Sequence, residues 1–157
     1  MNNVISVYER CLNVFGIRLR LVRERRAIFD GRAVYMGKDF DSERFLSDLA
    51  HEVGHCLAAA PERRKAREWG LGKSYEGHYG PLLVGSMYTA SEEELRASLL
   101  GICLQKHVEG RLAALWTWRF HDWPDVPLKD AVIVMGELVA EGLIEIRGLR
   151  PKILEEI

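Results

Sequence analysis

The chain has 157 residues, of which 48% are hydrophobic and 29% charged, a balance that supports one soluble domain with a sizeable core and leaves no case for disorder. Lys and Arg number 22 against 23 Asp and Glu, for a formal charge of -1, so attraction to nucleic acid or anionic lipid must be local if it exists at all. No basic, apolar, small-residue leader and no apolar run of about 18 residues is present, which argues against secretion and membrane spanning, and three widely separated cysteines fit a reducing cytosol.

Val4, Ile5, Tyr8, Cys11, Leu12 and Phe15 recur at helical spacing and predict a first amphipathic helix stopped by Gly16. Arg18 to Val22 alternates as a half-buried strand, with Arg32 to Met36 as its expected partner across a turn near Asp30-Gly31. Arg18, Arg20, Arg23, Arg25 and Arg26 form a basic run. It reads either as a solvated face or as a contact for RNA or an acidic partner. Cys11, Cys56 and Cys103 lie far apart among apolar residues, as small buried hydrophobes rather than as a disulfide frame or thiolate metal site.

Phe40 to Phe45 has the signature of a helix start: Asp41 as N-cap, Glu43 in the positive first turn, and Phe40 and Phe45 as a hydrophobic staple. Phe45, Leu46, Leu49, Val53, Cys56, Leu57 and Ala60 continue at helical spacing, so this helix is expected to be deeply packed. Within it stands His51-Glu52-Val53-Gly54-His55, an H-E-x-x-H sequence. Histidines four apart on a helix lie on one face and can converge on one divalent cation, with Glu52 beside it as a candidate catalytic base. A carboxylate and two imidazoles in a dry helix are costly unless paired or near a metal.

Pro61 ends this helix, and Gly70 and Gly72 close a short basic stretch from Glu62 to Trp69, which Pro61 could open as a further helix. Residues 73 to 90, rich in Gly and Tyr, read as a loop. Ser91 and Glu94 have capping-box spacing at the head of a long helix running towards Trp118, with apolar stripes Leu95, Leu99, Ile102, Cys103 and Ala97, Leu100, Leu104. Trp116, Trp118, Phe120 and Trp123 form an aromatic cluster suited to core or lid packing, or to a substrate platform. A last helix from Leu128 to Glu141 stops at Gly142, and Leu143 to Ile146 and Lys152 to Leu154 read as short strands around Gly148.

Two histidines under-coordinate a divalent ion, and catalytic sites usually add a third protein ligand while leaving a position open. The extended form H-E-x-x-H-x-x-G-x-x-H is excluded, because Ala58 and Pro61 stand where its glycine and third histidine belong. Glu92, Glu93 and Glu94 are the nearest carboxylates on a later helix. Glu94 is the first choice, its rival role being the capping box. Glu93 shares a face with Ala97, Leu100 and Leu104 and is the second. His78 lies in the predicted loop, and His107 and His121 have no evident partners.

The stretch Ala50 to His55, followed by Ala59, Arg63-Arg64 and Trp69-Gly70, resembles the bacterial elongation factor P hydroxylase family, as does Glu94-Leu95-Arg96 with Leu100. The likeness covers about residues 40 to 105, with a weaker echo at Tyr8-Glu9, and the C-terminal third departs from it. With the strands expected at Arg18 to Val22 and Arg32 to Met36, the chain reads as a mainly helical, zincin-like α+β single domain with a small sheet beside the H-E-x-x-H helix. The activity that the resemblance implies is hydroxylation of a protein side chain on a translation factor, with iron held by His51, His55 and a glutamate. A small zinc peptidase with Glu52 as general base is the alternative enzyme. A metal-stapled binding module using the Arg18 to Arg26 run is the alternative from another class.

Overall fold

Helical spacing of apolar residues sets the three longest segments of the chain's computed structural model, which describes residues 2–23, 27–37, 42–71, 88, 90–110 and 128–157. Helix α1 (Asn2–Asn13) buries Tyr8, Cys11 and Leu12, and Gly16 beyond it takes a left-handed φ of 73°. Helix α2 (Ser42–Ala58) carries the H-E-x-x-H sequence, and α3 (Ala90–Glu109) lies against it over the most extensive contact among the described elements. Helix α4 (Leu128–Ala140) packs on α3 through residues that include the buried Ala131, Val134 and Leu138. The fold is mainly helical α+β, with one continuous core drawing on all four described helices.

A three-stranded sheet flanks α2. Its order is β1 (Arg18–Val22), β3 (Ala33–Gly37), β2 (Ala27–Phe29). Pairing of β1 with β3 matches the expectation, but the two run parallel, with Arg18 opposite Ala33 and Arg20 opposite Tyr35. The strand that turns at Asp30-Gly31 is the short β2, antiparallel to β3. The more apolar segment has taken the middle place: Ala33, Val34, Met36 and Gly37 are buried, whereas β1 keeps Arg18, Arg20 and Leu21 exposed. Asp30 closes the turn by accepting from the amides of Arg32 (2.8 Å) and Ala33 (2.9 Å) through Oδ1.

Beyond α2, Glu62 to Trp69 forms two 3-10 turns, Arg63–Lys65 and Arg67–Gly70, in place of a further α-helix. Arg64 is one reason the chain folds back here: its Nε donates to the carbonyl of Cys56 at 2.7 Å, capping α2, and its guanidinium lies 4.0 Å from the Phe15 ring centre. At the C-terminus β4 (Ile144–Glu145) and β5 (Arg150–Pro151) make a small hairpin. Lys152 to Leu154, expected as a strand, lies in a 3-10 turn, the last contact of the hairpin being the Lys152 N–H donated to the Leu143 carbonyl at 3.0 Å. His107 gains a partner here, its Nε2 lying 2.9 Å from the carbonyl oxygen of Gly148.

Several sequence expectations fall outside the described residues: the Phe40-Asp41 helix start, Arg25 and Arg26, Gly72, His78, the Trp116 to Trp123 cluster and His121, together with the side chains of Glu43 and Ser91. No described helix is long and apolar enough to cross a membrane.

Candidate metal centre

Helices α2 and α3 run antiparallel, as a ladder of contacts from Gly54 with Ala97, through Ala50 with Gly101, to Ser47 with Gln105 makes plain. Small residues set their separation. A Cβ on Gly54 would stand 2.1 Å from the Ala97 carbonyl oxygen, and one on Gly101 would stand 3.0 Å from that of Ala50. This close approach brings the second turn of α3 onto the histidine face of α2.

There Glu94 meets both histidines. Its Oε2 lies 3.1 Å from His51 Nε2 and 3.0 Å from His55 Nε2. The rings of His51 and His55 stand edge to face, 4.5 Å between centres. One donor atom from each of the three side chains falls within 4.8 Å of the others. Metal–ligand bonds of about 2.1 Å place neighbouring donor atoms roughly 3.0 to 3.4 Å apart, so the two separations are compatible with a ligand set around one ion as well as with hydrogen bonds. His51, His55 and Glu94 form a group able to hold one metal ion.

The surroundings suit that purpose. His51 and His55 are 3% and 5% exposed, and the Glu94 side chain 12%. Ser98, one turn after Glu94, places Oγ 3.3 Å from His51 Nδ1. A hydroxyl can accept from Nδ1–H and so leave the Nε2 lone pair directed at a cation, the usual outer support of a metal-binding histidine. Burial pushes the Glu94 carboxyl up, but His55 and His51 outweigh it and hold the group well below the usual range, so it stands ionised between them.

Glu52 takes a separate position. It is buried, and its Oε2 accepts the indole N–H of Trp69 at 2.9 Å. Trp69 in turn stacks on Phe29 of β2, 3.7 Å between ring centres and 11° from parallel, and lies nearly parallel to His55 at 6.2 Å. Glu68 and Trp69 hold left-handed φ values of 50° and 55°, a conformation that costs non-glycine residues about 1–3 kcal/mol each and that aims the indole at Glu52. Burial and the nearby Glu52 carboxylate push Glu68 up to about 7.

Glu93, the second-choice ligand, is turned away from the histidines. Its Oε2 pairs with Arg63 at 2.9 Å, and its Oε1 lies 3.9 Å from Arg96 Nε. Arg96 continues to Glu141 at the end of α4, 2.5 Å away, and lies over the Tyr88 ring. Arg63 is 1% and Glu93 2% exposed, so consecutive glutamates serve different ends: Glu94 the metal face, Glu93 a buried ion-pair chain. Glu92 is exposed. Sequence reasoning named Trp69 only as the end of a basic stretch and as part of a family likeness, and missed Ser98 and the Arg63–Glu93 pair. The i, i+4 spacing of Glu94 and Ser98 was the available signal for one of them.

No protein-family model, no characterised protein and no solved structure matches the chain.

Proposed function

We propose that this protein is a metal-dependent enzyme that uses His51, His55 and Glu94 as a facial ligand set, and that its reaction is hydroxylation of a protein side chain. The observation that carries the reading is the single Glu94 oxygen within 3.1 Å of both imidazole Nε2 atoms, largely buried between two packed helices. Two imidazoles and one carboxylate suit iron(II) and leave coordination positions open, and such an ion when bound supplies the activation of dioxygen. The likeness of residues 40 to 105 to elongation factor P hydroxylases supports a translation factor as substrate.

The chain's own residues would divide the remaining work. Ser98 orients His51, and the α2 and α3 backbones fix the ligand spacing. Glu52, steadied by Trp69, offers its second oxygen to hold or accept a proton. One oxygen atom of dioxygen enters a C–H bond of the substrate, while the other leaves as water with two electrons and two protons from an external reductant.

A second reading is favoured by Glu52 itself, since a buried glutamate next in sequence to His51 is the residue type that serves as general base in a zinc peptidase. The experiment that decides supplies the protein with iron, ascorbate and air, or with zinc, and follows elongation factor P and other candidate partners by intact-mass spectrometry. One added oxygen atom supports the hydroxylase, and Glu52-dependent chain cleavage supports the peptidase. Protein reconstituted with either metal that retains none would refute both.

A further inference from the structure

A groove of about 740 Å³ opens over the sheet face opposite the core, away from the histidines. Among the described residues its walls carry Arg18, Arg20, Arg32, Arg64 and Lys65 against one carboxylate, Asp30. In a chain whose formal charge is -1 this is a marked local excess of cations. Asp30 offsets one of these five charges, and its oxygens accept from the Arg32 and Ala33 amides and from the Tyr35 hydroxyl at 3.1 Å, which hold it in the β2–β3 turn.

The groove is built rather than incidental. Three stretches distant in sequence converge on it: the end of α1 with β1, the β2–β3 turn, and the segment after α2. Gly31 lets two of them meet, since a Cβ there would stand 2.6 Å from the Lys65 carbonyl oxygen. Arg64 is fixed by its bond to the Cys56 carbonyl. Arg18 and Arg20 project from the same face of β1, about 6.6 Å apart along the strand.

We infer that this groove docks an acidic segment of another polypeptide in extended form. Carboxylates on alternate residues of an extended peptide share the spacing of Arg18 and Arg20, and guanidinium groups pair with carboxylates through two parallel hydrogen bonds. Single-stranded nucleic acid fits less well, because it needs aromatic faces on which bases can stack. Of the two rings on the groove wall, Phe15 already carries the Arg64 guanidinium and Tyr35 is tethered through its hydroxyl. The inference is independent of the metal centre and of any activity.

The test is fluorescence anisotropy with a labelled peptide alternating Glu and Val, its Gln counterpart, and labelled oligouridylate. The Glu peptide is expected to bind, to weaken as salt is raised, and to lose about tenfold or more in affinity to the Arg18→Gln/Arg20→Gln double variant. Both arginines are exposed, so the double variant should fold, and its circular dichroism spectrum should match the wild type. Arg147→Gln, exposed and outside the groove, should bind as the wild type does. No binding of the Glu peptide, equal binding of the Gln peptide, undiminished binding by the double variant, or tighter binding of oligouridylate would each overturn the assignment.

Discussion

Gly54 lies directly against the backbone of Ala97, and that contact decides where Glu94 stands. A methyl group at position 54 would meet the Ala97 carbonyl oxygen at 2.1 Å, a backbone atom that no rotamer change can move. Because Glu94 lies three residues before Ala97 on the same helix, any shift of α3 that relieves the clash also withdraws the carboxylate from His51 and His55. Gly54→Ala is therefore expected to destabilise the fold by about 3 kcal/mol or more, at the upper end of overpacking costs. It should also lower metal retention. Thermal unfolding and metal content measured on the same preparation check both, and a variant as stable as the wild type would show that the helices are not held at this distance.

Glu94 and Glu93 should separate cleanly by substitution. Glu94→Gln removes the carboxylate between the imidazoles, and the apparent affinity for zinc or iron(II) should fall by more than about 100-fold, beyond the loss typical of an outer-shell change. Glu93→Gln should leave metal affinity within about threefold. Its effect falls on stability, because Arg63, 1% exposed, is left with an uncompensated buried charge at a cost of about 3–5 kcal/mol. Metal titration and urea unfolding of both variants check the pair. Equal loss of metal in the two would mean that Glu93 also serves the site.

The difference between these neighbours shows where sequence reading reaches and where it stops. His51 and His55 were legible because a local spacing, one helical turn, fixes their relation whatever the rest of the chain does. The carboxylate on α3 was legible only as a choice among Glu92, Glu93 and Glu94, since each residue turns the helix by about 100° and the face that meets α2 depends on packing. That packing is set by Gly54 and Gly101, which in sequence read simply as weak helix formers. The direction of β1 was misread for a similar reason. The alternation of Arg18 to Val22 reports one exposed face but carries no information on whether a partner runs parallel, and the three-residue β2 is too short for a periodic signal.

The three thiols should be unreactive in the folded protein. Burial pushes Cys56 up to about 12 and Cys11 and Cys103 up to about 11, against 9.0 for an ordinary thiol. A group whose folded pKa is raised stabilises the fold fully below its unfolded value and loses that contribution as pH rises through the folded one. Stability should thus be unaffected by the thiols below about pH 9 and should decline above it as the unfolded chain ionises first. An aromatic disulfide reagent at about pH 8 should find no thiol in native protein and all three after denaturation. Rapid labelling of Cys56 in the native state would contradict its burial.

The pairing of Trp69 with Glu52 should be worth a measurable coupling energy. Trp69→Phe keeps a ring to stack on Phe29 but deletes the indole N–H, leaving a buried carboxylate oxygen short of its 2.9 Å donor at a cost of about 1–3 kcal/mol. Part of any loss will come from the smaller ring, which a single variant cannot separate. Combining Trp69→Phe with Glu52→Leu resolves this, because once the carboxylate is absent only the packing component remains. The interaction energy from the cycle should lie between about 0.5 and 3 kcal/mol. Glu68→Gly supplies an independent check on why the indole points where it does. Relief of the left-handed φ of 50° favours the variant, whereas the lower entropy of non-glycine unfolded chains opposes it, so its unfolding free energy should stay within about 1 kcal/mol of wild type. A coupling near zero between Trp69 and Glu52 would mean that the strained turn serves packing against Phe29 alone, and that Glu52 is positioned by its helix without help.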